Sequence, residues 1–534
     1  MTVRTDVIHT FLSTSKLPYV PYMDGLRIQV LPDITSLSTC KKHHFAAFIQ
    51  NPGYLVVWHD DPEQVVSRAE GIEQHLVSLL WKDEKAIFAG SESTSQAPTI
   101  NVKEIGDEEE GRRFDDRPRK TLLYQPILMC VTAILVVLTI GVGWRKVAIE
   151  VKTDHTYLRL VLAAVIIPQI WLGWFFFQTL TNGLSQMFGP VNQIDSNSRS
   201  FSGIRTKRLE ADILPHVTVQ CPVYKEGLHS VIDPTMVSIR EAISTYEMQG
   251  GSVNIFVNDD GMQIIPEAEA RERQDYYEEH NIGWVARPKH NPKGEKPFIR
   301  PGKFKKASNM NYAMNVSARC EDKLTRIPRH GSWTQQDENA AYERALGQVI
   351  EEDRGNTWAA GDVRFGDYIL IIDSDTRVPT DCFLDMVSEM EASPQVAIIQ
   401  FMSGVMNVTD SFFEKGITFF TNLVYTAIQF AVANGDIAPF VGHNAVLRWS
   451  ALQDIAYDEG GVEKYWAENT VSEDFDMALR LQAKGYDLRY ASYYGPAGFQ
   501  EGVSLTVYDE LARWEKYAYG RFQTHSPDNF PVVS

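Results

Sequence analysis

Two long stretches of the chain carry no charge. Lys120 and Arg145 bracket the run LLYQPILMCVTAILVVLTIGVGW, and no charge falls between Arg159 and Asp195, where Leu160–Leu180 reads LVLAAVIIPQIWLGWFFFQTL. A helix crossing the hydrocarbon core of a bilayer needs about 20 apolar residues, so each stretch predicts a membrane span. Buried core helices are the alternative, but soluble cores rarely run so far without charge. Pro168 predicts a kink in the second span. Trp144, Trp171 and Trp174 suit the bilayer interfaces. The first span begins too far along the chain for a signal peptide.

Beyond the spans the pattern changes. Short β-branched runs at 217–224, 253–260, 282–289, 368–375 and 396–403 alternate with helical patterns. Such alternation predicts a parallel sheet with helices on both faces, and ligands in such sheets bind at the carboxyl ends of the strands. Ahead of the spans, a strand-like YLVVWHD at 54–60 precedes a helix-like EQVVSRAEGIEQHLVSLLW, with Asp61-Pro62 as its start signal. The polar stretch at 91–118 reads as a solvated linker. The expected organisation is a small region at 1–90, the linker, two transmembrane helices within 119–182, and one α/β domain over 212–534, with no internal repeat.

Charge refines this picture. The chain has 534 residues and a net charge of −18, which argues against nucleic-acid binding, since phosphate contacts need clustered Lys and Arg. Five cysteines, far apart, form neither a metal finger nor a disulfide framework. Arg112, Arg113, Arg117, Arg119 and Lys120 precede the first span, and Arg199, Arg205, Lys207 and Arg208 follow the second. The loop between holds Arg145, Lys146 and Lys152, so the bias puts both large polar parts in the cytosol. The sequons at Asn315 and Asn407 would be used only in the opposite topology.

The candidate chemistry sits at strand ends. Asp373 and Asp375, one residue apart, can point past the end of their strand and hold a hard divalent cation that also touches phosphate oxygens. An Asp-rich turn is the plainer reading of that pair. Asp259-Asp260 end a second strand. In SEDFDMALRLQAKGY, Ser472 reads as a helix N-cap and places Glu473 and Asp474 in the first turn. Taken alone, acids there satisfy the helix dipole. In VYDELARWEKYAYG, Arg513 could neutralise a diphosphate and Trp514 could face a sugar ring, although an amphipathic helix with a core Trp explains that segment by itself.

The order DDG, KASNMN (306–311), DSD, SED, RW resembles the processive branch of glycosyltransferase family 2, the cellulose, chitin and hyaluronan synthases. The resemblance covers about 212–522, and the two preceding helices fit it. The stretch NPGYLVVWHDDPEQ is similar to membrane-bound family 2 proteins of filamentous fungi. The family implies a GT-A-like (Rossmann-like) α/β fold with a mixed, mostly parallel sheet and flanking helices. It implies that Tyr224 and Glu226 lie near the nucleotide base, that Asp259 and Asp260 contact the uridine, and that Lys306 lies beside the nucleotide. Asp373 and Asp375 match the DxD that binds Mg²⁺ or Mn²⁺ and diphosphate, Asp474 the general base, Arg513 the diphosphate-binding arginine, and Trp514 the residue under the acceptor sugar. His443 and Asn444, in GHNAVLR, match a segment lining the acceptor site.

Three departures stand out. TED is SED, QxxRW carries Glu510 in place of the amide and is expected to pair with Arg513, and KASNMN lacks the family glycine. The implied activity is inverting transfer from a UDP-sugar donor to a polysaccharide acceptor, at the plasma membrane or a secretory-pathway membrane with the catalytic domain cytosolic. Alternatives are a non-processive transferase acting on a lipid or glycolipid, and an inactive membrane scaffold. Only 20 residues follow Trp514. Two helices cannot enclose a polymer path, so translocation is expected to need further membrane helices, from an oligomer, a partner or a longer chain.

Overall fold

The computed structural model describes residues 1–14, 19–22, 26–34, 37, 46–51, 53–58, 64–88, 119–209, 211, 214–293, 298–301, 305–329, 333–409 and 411–524. The linker at 91–118, the Asp61-Pro62 start signal, Arg112, Arg113 and Arg117, and the last ten residues lie outside these.

The N-terminal unit holds β1 (Thr2–Val3), α1 (Asp6–Thr14), β2 (Tyr19–Tyr22), β3 (Leu26–Leu31), β4 (Ala46–Ile49), β5 (Tyr54–Val57) and α2 (Gln64–Phe88). Its strands form one sheet in the order β1-β5-β4-β3-β2. Ile8, Leu12, Ile72 and Leu76 of the helices pack with Phe48, Leu55 and Val57 of the strands.

The apolar helical hairpin is α3 (Tyr124–Asp154), a 3₁₀ segment (Tyr157–Val165) and α4 (Ile166–Phe188). Pro168 does not kink the helix midway. It is the third residue of α4, where its missing N–H is one of the orphan donors of a first turn, and the turns before it wind as 3₁₀. Polar groups line the seam. The hydroxyls of Thr132 and Thr181 lie 3.0 Å apart, and Ser185 Oγ donates to Tyr124 Oη at 2.9 Å. Small polar contacts of this kind hold helices together where lipid competes equally for apolar surface.

The remainder, in chain order, is β6 (Phe201–Ser202), β7 (His216–Val223), α5 (Asp233–Glu247), β8 (Ser252–Asp259), α6 (Glu267–Glu279), β9 (Gly283–Ala286), α7 (Lys306–Thr325), α8 (Gln335–Glu352), β10 (Trp358–Ala360), β11 (Tyr368–Ile371), α9 (Cys382–Glu391), β12 (Val396–Phe401), β13 (Ser403–Val405) and α10 (Phe412–Ala433). There follow β14 (Ala445–Arg448), α11 (Trp449–Asp454), the hairpin β15 (Tyr457–Glu459) and β16 (Val462–Lys464), α12 (Glu473–Ala483), β17 (Asp487–Ala491), β18 (Phe499–Glu501) and α13 (Val507–Thr524).

Nine strands form the main sheet in the order β10-β9-β8-β7-β11-β14-β12-β17-β6. The pairings β9–β8, β8–β7, β7–β11, β12–β17 and β17–β6 are parallel; β10–β9, β11–β14 and β14–β12 are antiparallel. The fold is therefore α/β with a mixed, mostly parallel sheet. Both faces are covered. Val217, Val219, Ile255, Val257 and Leu370 meet Met236, Ile239 and Phe383 on one side, and Ile369, Ile371 and Leu447 meet Met310, Met314 and Trp466 on the other.

Among the described residues three helices, not two, are long and apolar enough to cross a membrane: α3, the segment 157–188, and α10. In α10, Tyr425, Val432 and Ala433 are buried in the core, while Phe412, Phe419 and Leu423 are exposed. Glu414, Lys415, Asn422 and Gln429 interrupt its apolar run, so it lacks the charge-free length that marks the other two.

Candidate active site

The ends of β7, β8 and β11 lie side by side, because Gln220 of β7 pairs with Ile371 of β11 and Val223 of β7 with Asp259 of β8. Past β11 the chain turns through Asp373, Ser374 and Asp375. Lys306, the first residue of α7, donates from Nζ to Asp373 Oδ1 at 2.6 Å and to the Gly442 carbonyl at 3.3 Å. His443 Nδ1 lies 3.7 Å from Asp373 Oδ2. Burial opposes the Lys306 charge, but Asp373, helped by Glu473 and Asp474, outweighs it and raises its pKa.

The segment 441–444, just ahead of β14, joins this cluster to α12. Gly442 has φ of +78°, and a Cβ there would come 3.3 Å from Asp474 Oδ2. Glycine thus permits both the left-handed turn and the close approach of the carboxylate. Ser472 occupies the N-cap of α12 without a side-chain capping bond, and Glu473, Asp474 and Asp476 fill the first turn. Asp474 Oδ1 accepts from the backbone N–H of Phe475 at 2.8 Å.

His443 is held on both ring nitrogens by groups that can only accept. Its Nε2 donates to Glu501 Oε2, and its Nδ1 donates to the Val441 carbonyl at 3.2 Å. Both nitrogens therefore carry protons. Burial disfavours that cation, but Glu501 and Asp373 outweigh it and push the pKa up to about 9. Asp375 is pushed up, first by burial and then by the Asp373 charge. A Cβ on Gly502 would reach within 2.5 Å of Asp375 Oδ2, so this carboxylate fills a cradle that only glycine leaves open.

The remaining predicted residues divide. Asp259 is fully buried and accepts from Arg273 Nη1 at 2.9 and 3.0 Å, Tyr277 Oη at 3.1 Å, and the backbone N–H groups of Gly261 and Met262. Asp260 accepts from Arg287 at 2.6 and 3.0 Å and pairs with Arg300 at 3.0 Å. This acidic pair braces the β8 turn through arginines that no sequence motif signalled. Tyr224 is half-exposed at the same edge, and Glu226 Oε2 accepts from its backbone N–H at 2.6 Å. Asn444 is fully buried at φ +50°, donating to Ser403 Oγ at 2.9 Å, and so shapes the segment from within.

Arg513 and Trp514 lie on α13. Among the described residues no hydrogen bond or ion pair joins Arg513 to Asp373, Asp375 or Asp474. Trp514 lies against Phe420 of α10, ring centroids 6.2 Å apart, and its Nε1 donates to Glu510 Oε1 at 2.8 Å. Glu510 thus accepts from the indole rather than pairing with Arg513, because one helical turn brings position 514 beside it. Sequence reasoning missed Glu501, Arg287 and Arg300, which belong to no spaced motif.

The arrangement is an α/β fold with a cation-flanked carboxylate cluster at the carboxyl ends of its strands. Residues 368–531 match the family model described as glycosyl transferase family group 2, and residues 1–92 match a domain of unknown function (DUF7928). The likeness to that family extends over residues 368–531, about a third of the chain. It is 27% identical over 159 residues to the beta-monoglucosyldiacylglycerol synthase of Trichormus variabilis, covering 29% of this chain and 32% of that protein. It is 30% identical over 169 residues to the cellulose synthase 1 catalytic subunit (UDP-forming) of Komagataeibacter xylinus, covering 31% of this chain and 21% of that one. These matches span about a third or less of the relatives' own lengths. A solved mannosyltransferase from Pyrobaculum calidifontis, in complex with GDP-Man and Mn²⁺, aligns with a TM-score of 0.33 and 16% identity over 58% of this chain and 63% of that one.

Proposed function

We propose that this chain is a membrane-bound, inverting hexosyltransferase that moves a sugar from a UDP-sugar to a growing polysaccharide. The observation that carries the reading is the convergence of Asp373, Lys306, the 441–443 segment and Asp474 on one crevice at the strand ends. An acceptor hydroxyl attacking the anomeric carbon must lose a proton, and Asp474 at the start of α12 is the base placed to take it. The new bond forms from the acceptor oxygen to the anomeric carbon. The bond to the diphosphate breaks with its electron pair on the leaving UDP, and configuration inverts. Lys306, cationic and partly buried, supplies positive charge where the diphosphate would lie.

Asp373 and Asp375 fit a divalent cation. Two neighbouring carboxylates repel one another, and the second sits in the cradle left by Gly502. Mg²⁺ or Mn²⁺ bound there would offset the diphosphate charge and ease its departure. Arg513 and Trp514 are proposed to serve the diphosphate and the acceptor sugar from α13.

A second reading is single addition to a lipid acceptor, favoured by the relative named for a glucosyldiacylglycerol. Purified membranes supplied with a panel of UDP-sugars and Mn²⁺ test both. UDP release with a lengthening polymer supports the first, and UDP release with a one-sugar glycolipid supports the second. No UDP release from any donor rejects the enzyme.

A further inference from the structure

We propose that Glu501 is a positioning residue of this site: by gripping His443 it holds the 441–444 segment at the separation that places Asp373 and Asp474 across one crevice. The inference rests on the transferase reading and names a residue that reading does not use.

The segment has several anchors, and they differ in kind. Gln400, fully buried on β12, accepts from the Val441 N–H at 3.0 Å and donates from Nε2 to the His443 carbonyl at 2.9 Å. Those bonds fix the backbone from below the sheet. Toward the crevice, the Gly442 carbonyl accepts from Lys306, and the Gly442 Cα faces Asp474. Both contacts lie on the reacting side, where a donor and an acceptor must enter. Sideways, the Asn444 side chain bonds Ser403 Oγ at 2.9 Å and Thr376 Oγ1 at 3.3 Å, and the His443 ring, the tie nearest Asp373, is held by Glu501.

Glu501 is itself well fixed. It ends β18, its carbonyl accepts from the Met406 N–H at 2.9 Å, and its second carboxylate oxygen accepts from Tyr425 Oη of α10 at 3.2 Å. A line of contacts therefore runs from α10 through Glu501 and His443 to the first aspartate of the DxD pair. Gly442 and Asn444 both adopt left-handed backbone conformations, which a freed segment would readily leave. A shift of about 1 Å in such a segment costs up to a hundredfold in rate when the groups it places must meet in the transition state.

The experiment uses the full chain purified in detergent, with Glu501→Ala and Glu501→Gln. Alanine removes the grip. Glutamine keeps it, because its amide can donate to or accept from Nε2 whichever form the ring takes. Binding of UDP with Mn²⁺ gives the number of intact sites per chain, and kcat is expressed per intact site. The expected result is that Glu501→Ala loses about ten- to a hundredfold in kcat with UDP binding within about threefold, while Glu501→Gln stays within about threefold of wild type in both. Hydrogen exchange supplies a readout independent of turnover. The 439–448 peptide should exchange about tenfold faster in Glu501→Ala and at the wild-type rate in Glu501→Gln, with the β7 peptide unchanged in both.

Wild-type kcat in Glu501→Ala, equal losses of sites and turnover, a glutamine variant as impaired as alanine, or unchanged exchange at 439–448 would each overturn the proposal. If wild type itself releases no UDP from any donor, the transferase reading fails, and the exchange comparison still decides whether Glu501 positions the segment.

Discussion

Asp474 and Asp375 occupy one crevice but face different partners, and single substitutions separate them. Asp474 lies against Gly442 and is the proposed base, so Asp474→Asn should cut transfer by about 10²–10⁴ while leaving UDP binding within a few-fold. Wild-type turnover in that variant would reject the base assignment. Asp375→Asn should instead abolish the gain in UDP affinity that Mn²⁺ gives, measured by titration with and without the metal. Equal affinities in the wild-type protein would reject the DxD reading. At this scale the sequence was most legible where chemistry repeats as spacing. Asp373, Asp375, Asp474 and Lys306 stand in ordered motifs, and the structure gathers them around the 441–443 segment. Asp259 was legible as a strand-end acid, but not its burial against Arg273 and Tyr277, since partners 14 and 18 residues away follow no motif. Glu501 was illegible for the same reason, being 58 residues from the ring it holds.

Elements were legible in proportion to their periodicity. The five β-branched runs all appear as strands, shortened at their carboxyl ends where the polar turn begins. The antiparallel β14 was not legible, because AVLR is four residues long and borders a helix. Its insertion between β11 and β12 makes the sheet mixed, as the family resemblance implied and the strand–helix alternation alone did not. The connection from β10 to β11 shows a local device that sequence does not reveal. Arg364 grips Asp362 through Nε and Nη2 at 2.9 and 2.8 Å and stacks over the Tyr342 ring at 4.6 Å. Burial opposes the Asp362 charge, but Arg364 outweighs it and lowers the carboxyl pKa. A carboxylate lowered on folding stabilises the fold above its unfolded pKa, and that contribution disappears as pH falls through the lowered value. Thermal midpoints measured between about pH 6 and pH 3 should therefore drop less steeply in Asp362→Asn than in wild type. Parallel curves would show that the pair contributes nothing to acid stability.

Over the whole molecule, connectivity decides what the apolar helices can do. The helix α10 is long and apolar enough to span, yet β12 before it and β14 after it pair in one sheet, Ile399 opposite Val446. A single crossing would put those strands on opposite sides of the bilayer, so an intact sheet keeps both ends of α10 on one side. The hairpin obeys the same logic. Ahead of α3, Arg119 donates to Ser202 Oγ at 2.7 Å and Thr206 Oγ1 at 3.1 Å, and the Lys120 carbonyl accepts from the Arg199 N–H at 3.0 Å. Beyond α4, Arg199 is clamped to Asp487 at 2.6 and 2.8 Å. Both feet of the hairpin are thus stitched to the α/β domain, which requires an even number of crossings between them. With the arginine-rich flanks inside, residues 1–110 and 200–534 should both resist protease added to sealed right-side-out vesicles, and the polar 145–159 segment, from the end of α3 into the 3₁₀ segment, should be the site that a bulky external reagent reaches. The variant Lys152→Cys, in the last turn of α3, reports that segment directly. Labelling there from outside, with the domain spared, is the expected pattern. Cleavage of 200–534 from outside would place the site away from a cytosolic UDP-sugar supply and overturn both the topology and the donor.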